Sequence, residues 1–285
     1  MEFIKEFINT DLGQMLTWIS GIVSGAAALW LFWEKIVAGI KWIVKQLKSW
    51  FALLKTSHSN PFTDQGRIIP EAFFGREQLL REIFEALEKC INLSLIGETQ
   101  TGKSSILNKV CQLGAKQLPN KTFIDLDLCI IHDEGDFFRA LCDEIGIPEK
   151  RGYLLHRALR GKQYVLCLDN IERLTNTLFS GDERTELRGL AEGADAPLTL
   201  LIASRSRLDT LFPDSPLEAS PLAGICQRLT IPPFSPEEVR AFIHTRLQPT
   251  GVQFTDAEIE NIWQQSQGHP AQVQLAAAEL YRQRE

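Results

Sequence analysis

Residues 97–104 read Gly-Glu-Thr-Gln-Thr-Gly-Lys-Ser: a glycine, four free positions, then Gly-Lys-Ser. That spacing lets successive backbone N–H groups curl around an anion while the following helix points its positive end at it. The chemistry is phosphate binding. Lys103 would reach the β- and γ-phosphates of a nucleotide, and the Ser104 hydroxyl would hold Mg²⁺. Gly97, Glu98, Thr99, Gln100, Thr101, Gly102, Lys103, Ser104 and the adjoining Ser105 are therefore candidate nucleotide ligands. Asp169 closes the apolar run Tyr-Val-Leu-Cys-Leu-Asp and would hold Mg²⁺ directly or through water, unless it serves as a helix cap. Glu172, or Asn170, would orient an attacking water. Arg205 follows the apolar run 198–203 and would neutralise the γ-phosphate, against the alternative of a surface salt bridge; Arg207 is a weaker version of the same idea.

These groups need a scaffold. Residues 91–96 read as a buried strand entering the loop, and residues 105–110 as the helix leaving it. Apolar strands follow at 122–127, 164–169 and 198–203, separated by helical patterns that include 136–145. Alternation of this kind predicts a parallel sheet with helices on both faces, binding its ligand at the carboxyl ends of the strands. The glycine loop, Asp169 and Ser204-Arg205 all fall at such ends. Helical patterns at 236–247, 256–265 and 270–282 predict a small all-α lid. The expected organisation is a membrane segment over 1–56, a linker over 57–70, a nucleotide-binding domain over 71–230 and a helical lid over 231–285.

The first 56 residues obey a different solvent rule. They hold six lysines against Glu2, Glu6, Asp11 and Glu34, a net of +2, which leaves −8 on the remainder of a chain with total charge −6. An acidic body argues against a broad grip on nucleic acid without excluding a local patch. Residues 12–33 carry no charge, and the apolar part from Met15 to Trp33 is 19 residues. At about 1.5 Å per residue that is roughly the thickness of a bilayer core. Trp18 lies near one end, with Trp30 and Trp33 at the other, as in interfacial aromatic belts. Gly21 and Gly25 form a Gly-x-x-x-Gly spacing within a stripe of small residues. Residues 34–55 set Lys41, Lys45, Lys48 and Lys55 near one face of a helix and Ile36, Ile40, Ile43, Leu47, Trp50 and Leu54 on the other, a basic amphipathic pattern suited to headgroups. The lysine excess after the span puts the C-terminal side in the cytoplasm, where ATP is. A buried soluble helix, a signal peptide, and a helix lying flat on a bilayer or stacked in an oligomer are the competing readings. The six cysteines are scattered with no Cys-x-x-Cys pair and no metal-ligand spacing to the histidines, which suits reduced thiols.

The runs Asn-Pro-Phe at 60–62 and Phe-Gly-Arg-Glu at 74–77, the loop 97–104, Leu-Asp-Asn at 168–170, Ala-Ser-Arg at 203–205 and Gly-His-Pro at 268–270 together resemble the STAND and related AAA-like P-loop ATPases, over residues 60–285. The resemblance implies ATP and Mg²⁺ as ligands, an adenine bordered by Phe74, Gly75 and Pro270, and Arg205 as a sensor of the γ-phosphate. Two departures matter. AAA+ motors commonly carry Glu directly after the metal acid, where this chain has Asn170, so slow hydrolysis is implied. STAND proteins usually continue into a winged helix and a repeat sensor; here the trigger is expected from a sensor or effector partner. The expectation is a single-pass, membrane-anchored ATP switch that forms homo-oligomers on nucleotide binding, in signalling or defence. The rivals are a tethered AAA+-type motor or loader acting on protein or DNA clients, and a nucleotide-dependent scaffold without useful turnover.

Overall fold

The structure, a computed structural model, describes residues 60–62, 73–213 and 222–284. The chain divides into two units, 1–59 and 60–285, and every described residue belongs to the second. The expected span over 12–33 and the basic helix over 34–55 lie outside the described residues. Among the described residues no helix is long and apolar enough to cross a membrane.

Helix α1 (Glu77–Glu88) buries Leu79, Ile83 and Leu87, one stripe at four-residue spacing. Strand β1 (Asn92–Ile96) then delivers the chain to the phosphate loop, and α2 (Lys103–Gln117) carries it away. Strand β2 (Thr122–Asp127) leads through a 3₁₀ turn into α3 (Glu134–Ile145). That helix is started by the Asp133 side chain, which accepts from the Asp136 N–H, and stopped by Gly146 at φ 78°. Helix α4 (Gly152–Leu159), β3 (Tyr164–Asp169), a second 3₁₀ turn (Ile171–Thr175), α5 (Asp182–Ala191), β4 (Leu198–Ser204), the short α6 (Leu208–Leu211) and β5 (Cys226–Thr230) complete the α/β body.

All strand pairs are parallel, in the order β2-β3-β4-β1-β5. Every residue of β3 and β4 is buried, and alternate side chains enter opposite cores. Leu166, Leu168, Leu200 and Ile202 meet Phe137, Leu141, Leu155 and Leu187 of α3, α4 and α5. Val165, Cys167, Leu201 and Ala203 meet Ile83, Leu87, Ile106 and Val110 of α1 and α2. Period-two burial on both faces is what an apolar run covered on two sides requires. The site depends on one detail of this order. Strand β4 lies between β1 and β3, so the residue after β4 stands between the phosphate loop and the acid that ends β3.

Nothing in the composition Cys-Gln-Arg-Leu-Thr predicts strand β5. Among the described residues it is an edge strand paired with β1 alone, and its residues are exposed or half-buried. It carries the chain into α7 (Pro236–Leu247), α8 (Asp256–Ser266) and α9 (Pro270–Arg284). Capping boxes at Ser235/Glu238 and Thr255/Glu258 begin α7 and α8, each stabilising by about 1 kcal/mol. The three helices share a separate apolar core. Phe62, within the stretch whose composition reads as a linker, is buried in that core, its ring 6.1 Å from Phe242, 6.1 Å from Phe254 and 6.3 Å from Tyr281. Asn60 holds the segment there by donating to the Ala278 carbonyl at 2.7 Å.

Candidate functional site

The phosphate loop owes its shape to two left-handed residues, Gln100 at φ 62° and Gly102 at φ 93°, placed just before α2 begins at Lys103. Gly97 is required for space: a Cβ there would lie 2.6 Å from the Thr101 hydroxyl, which itself donates to the Glu98 carbonyl at 2.9 Å. Lys103 folds back over the loop. Its ammonium donates to the carbonyls of Gly97 at 2.8 Å and Glu98 at 2.6 Å. Thus loop carbonyls are engaged by the protein, while Glu98, Thr99 and Gln100 are exposed. Ser104 and Ser105 are half-buried in the first turn of α2.

The other candidates stand at the same sheet edge. Ile96 and Ser204 are register partners, and the Gly97 N–H donates to the Ser204 carbonyl at 3.1 Å, which sets Arg205 beside the loop. Asp169, 2% exposed, ends β3. One of its oxygens accepts from the Asn170 N–H at 2.9 Å. Glu172 reaches across and accepts from the backbone N–H of Arg205. Burial lowers the Lys103 pKa, the charges of Glu172 and Asp169 oppose that shift, and Arg205 adds to it. These four groups therefore share one electrostatic environment. The Arg205 guanidinium has no partner among the described residues, whereas Arg207 is paired with Asp209 at 2.5 Å. A cleft of about 330 Å³ opens here between Cys129, Asn170, Glu172, Arg173 and Arg205.

The lid meets the loop directly. His269 Nε2 lies 3.1 Å from the Thr99 carbonyl. A carbonyl only accepts, so Nε2 carries the proton; Nδ1 is buried and has no partner among the described residues. Gly268, at φ 73°, is packed so closely on the hinge before α7 that a Cβ would sit 2.1 Å from the Phe234 carbonyl. The Phe234 N–H donates to the Gly268 carbonyl at 2.8 Å. Arg76 closes the circuit. Its guanidinium donates to the Pro232 carbonyl at 2.8 Å and to the Thr101 carbonyl at 3.3 Å, and lies 4.8 Å from the Phe234 ring centroid. Of the three residues expected around adenine, Phe74 packs edge-on against Phe242 of α7 at 5.6 Å, Gly75 faces Glu238 and Phe234, and Pro270 is buried at the start of α9.

A profile of the family described as Novel STAND NTPase 1 matches residues 69–285. The chain belongs to that family. No curated protein matches it. Among solved structures, this STAND NTPase is similar in fold to a Walker-type ATPase of Pyrococcus abyssi, with TM-score 0.56 at 18% identity over 79% of this chain and 72% of that one. It is similar to Cdc6p of Pyrobaculum aerophilum, with TM-score 0.55 at 17% identity over 79% of this chain and 66% of that one. It is also similar to ORC1 of Aeropyrum pernix, solved with DNA, with TM-score 0.55 at 17% identity over 79% of this chain and 64% of that one. At these identities the likeness is one of fold.

Arg76 and His269 are site residues that motif spacing does not mark. Both lie inside informative runs, Phe-Gly-Arg-Glu and Gly-His-Pro, yet both act on loop carbonyls, which leave no trace in residue spacing. The family implies a nucleotide with Mg²⁺, and the residues fit a hard cation. The second oxygen of the buried Asp169 has no protein partner among the described residues, and carboxylate and hydroxyl oxygens are the donors Mg²⁺ takes. Ser104 and Asp169 are the residues that would hold it.

Proposed function

We propose that this STAND NTPase binds ATP·Mg²⁺ between the sheet edge and the helical lid, hydrolyses it slowly, and works as a membrane-anchored switch. The observation that carries the reading is the meeting of Lys103, Asp169, Glu172 and Arg205 at one edge, with His269 of the lid resting on the same loop. Lys103 would exchange its two carbonyl partners for the β- and γ-phosphates, and Arg205 would meet the γ-phosphate. Bound Mg²⁺ supplies neutralisation of the phosphate charge. Asn170, an amide, accepts no proton from an attacking water, which favours slow turnover. Anchoring rests on the charge-free run 12–33 with its terminal tryptophans, and the cytoplasmic placement on the lysines that follow. Assembly into homo-oligomers on nucleotide binding, and a sensor or effector partner that triggers it, complete the reading, with signalling or defence as its setting. A loader acting on DNA is the use that the fold likeness to ORC1 would suggest, but the −8 charge outside residues 1–56 disfavours it. The test is equilibrium ATP·Mg²⁺ binding and turnover by the detergent-solubilised full chain, with its mass measured with and without nucleotide. Binding with slow turnover and a nucleotide-dependent mass supports the switch; turnover driven by DNA supports the loader.

A further inference from the structure

Between Glu149 and Asp169 the chain carries no acid, while Arg151, Arg157, Arg160 and Lys162 stand exposed along α4 and at its two ends. In a body of net charge −8 this is a local reversal of sign. Leu155 and Leu159 turn one side of the helix into the core and are fully buried. On the opposite side Tyr153 and Arg157, one turn apart, share the solvent face. Tyr153 is 68% exposed and its neighbour Leu154 57%. The helix is held firmly in this orientation. The Arg151 guanidinium pairs with Glu134 of α3 at 3.1 Å and lies 4.8 Å from the Phe138 ring centroid. The Gly152 N–H donates to Glu186 of α5. Glu134 also accepts from the Ser180 hydroxyl, which brings Leu178, 58% exposed, to the same corner. Arg157, Arg160 and Lys162, by contrast, have no acidic partner among the described residues. Fixed cations without counter-charges, beside uncovered apolar side chains, call for a partner that is both anionic and amphiphilic.

We propose that the outer face of α4 is a contact for the surface of an anionic lipid bilayer. Arg157, Arg160 and Lys162 would meet headgroup phosphates and carboxylates. Tyr153 and Leu154 would enter the boundary between headgroups and acyl chains. The other large polyanion is a nucleic acid. A duplex is gripped through phosphate contacts spread over several elements and gains little from an exposed leucine. A leaflet needs one face with apolar residues among cations, and α4 presents that face. The proposal rests on the membrane-anchored reading above for the nearness of a bilayer, and on α4 alone for the contact. None of these residues lines the nucleotide edge, so the contact is separable from ATP binding.

The experiment is photocrosslinking by the full chain in vesicles of phosphatidylcholine, alone or mixed with phosphatidylserine. A photoreactive benzoylphenylalanine replaces Leu154 or, as a control, Leu275, a similarly exposed leucine on α9. Residue 154 is expected to form lipid adducts severalfold more often when phosphatidylserine is present, and residue 275 is not. Each cation beside an anionic leaflet is worth about fivefold, so Arg157→Glu with Arg160→Glu and Lys162→Glu should cut the adducts at 154 by roughly tenfold or more while ATP affinity stays unchanged. Equal adducts in the two lipids, adducts at 154 no more frequent than at 275, or adducts undiminished in the triple variant overturn the proposal. If the triple variant does not fold, salt decides: adducts of the chain with its cations intact should fall severalfold as salt rises, and indifference to salt overturns the proposal. Crosslinking to added duplex DNA in place of lipid gives α4 to nucleic acid and overturns it as well. A chain that proves not to be anchored is added to the same vesicles from solution. Sedimentation with phosphatidylserine vesicles that is lost in the triple variant upholds the contact although the anchor has failed; sedimentation unchanged in that variant, or none, overturns both.

Discussion

The Glu172 carboxylate holds the backbone N–H of Arg205, tying the segment after β3 to the residue after β4. A group whose spacing makes it a candidate water-orienting acid thus also fixes the position of the candidate γ-phosphate sensor. The two roles separate by substitution. Glu172→Gln keeps an oxygen for the Arg205 N–H, so ATP affinity should persist while turnover falls tenfold or more, within the range of lost acid–base help. Glu172→Ala frees Arg205 as well and should weaken ATP binding. Equal affinities in the two variants would show that Arg205 needs no such tether. If instead Asn170→Ala stops hydrolysis and Glu172→Gln does not, the water belongs to residue 170.

Lys103→Ala should abolish ATP binding with little effect on folding. The ammonium is half-buried and its partners are the carbonyls of the buried Gly97 and the exposed Glu98. The stability change should stay within about 0.5 kcal/mol, as for most substitutions away from the core. Calorimetric titration with ATP·Mg²⁺, alongside thermal melting, checks both halves. A large drop in melting temperature would mean that the lysine braces the loop as well as facing the phosphates.

Two glycines with similar backbone angles should respond very differently to alanine. Gly146, at φ 78°, has no described residue's atom within 4 Å of where a methyl group would go. Gly146→Ala should therefore cost only the left-handed penalty, about 1 kcal/mol. Gly268, at φ 73°, would place its Cβ 2.1 Å from the Phe234 carbonyl. Gly268→Ala must break the Phe234–Gly268 bond and lift the lid, at a cost of roughly 3 kcal/mol or more. Urea unfolding of both variants measures the contrast.

Much of the sheet is legible in the sequence because β1, β3 and β4 are largely buried, predominantly apolar runs followed by a loop, closed by an acid, and followed by an arginine, respectively. Strand β5 escapes that logic. An edge strand needs no apolar alternation, and Cys-Gln-Arg-Leu-Thr pairs through its backbone with β1 alone. Phe62 is hidden by its neighbours: Asn60 and Pro61 mark a turn, and nothing local shows that the next ring is buried among Phe242, Phe254 and Tyr281. Lys103 and Asp169 announce themselves by residue type and spacing. Arg76 and His269 do not, because each acts on a loop carbonyl far away in sequence.

His269→Ala should weaken ATP binding severalfold, the worth of about one hydrogen bond, by releasing the lid from the Thr99 carbonyl. His269→Gln retains an N–H donor and should recover part of the loss. Limited proteolysis with and without ATP tests the coupling. Nucleotide should protect the lid of the wild type and protect it less in His269→Ala. Equal protection in both would remove His269 from the lid's response.

Residues 12–33 should anchor the chain. Membranes washed with alkaline carbonate should retain the full-length protein, and Gly21→Leu with Gly25→Leu should leave the anchor while weakening nucleotide-dependent assembly, since bulky side chains hold helices apart. Release by the wash would mean a surface-bound helix.

The central claim is that the edge formed by Lys103, Asp169, Glu172 and Arg205 is an ATP·Mg²⁺ site. The most direct measurement is equilibrium ATP binding by the full chain, with and without Mg²⁺, for the wild type, Lys103→Ala and Asp169→Asn. The account predicts tight Mg²⁺-dependent binding by the wild type, none by Lys103→Ala, and loss of the Mg²⁺ dependence in Asp169→Asn. Equal ATP affinity in all three proteins, indifferent to Mg²⁺, would contradict it.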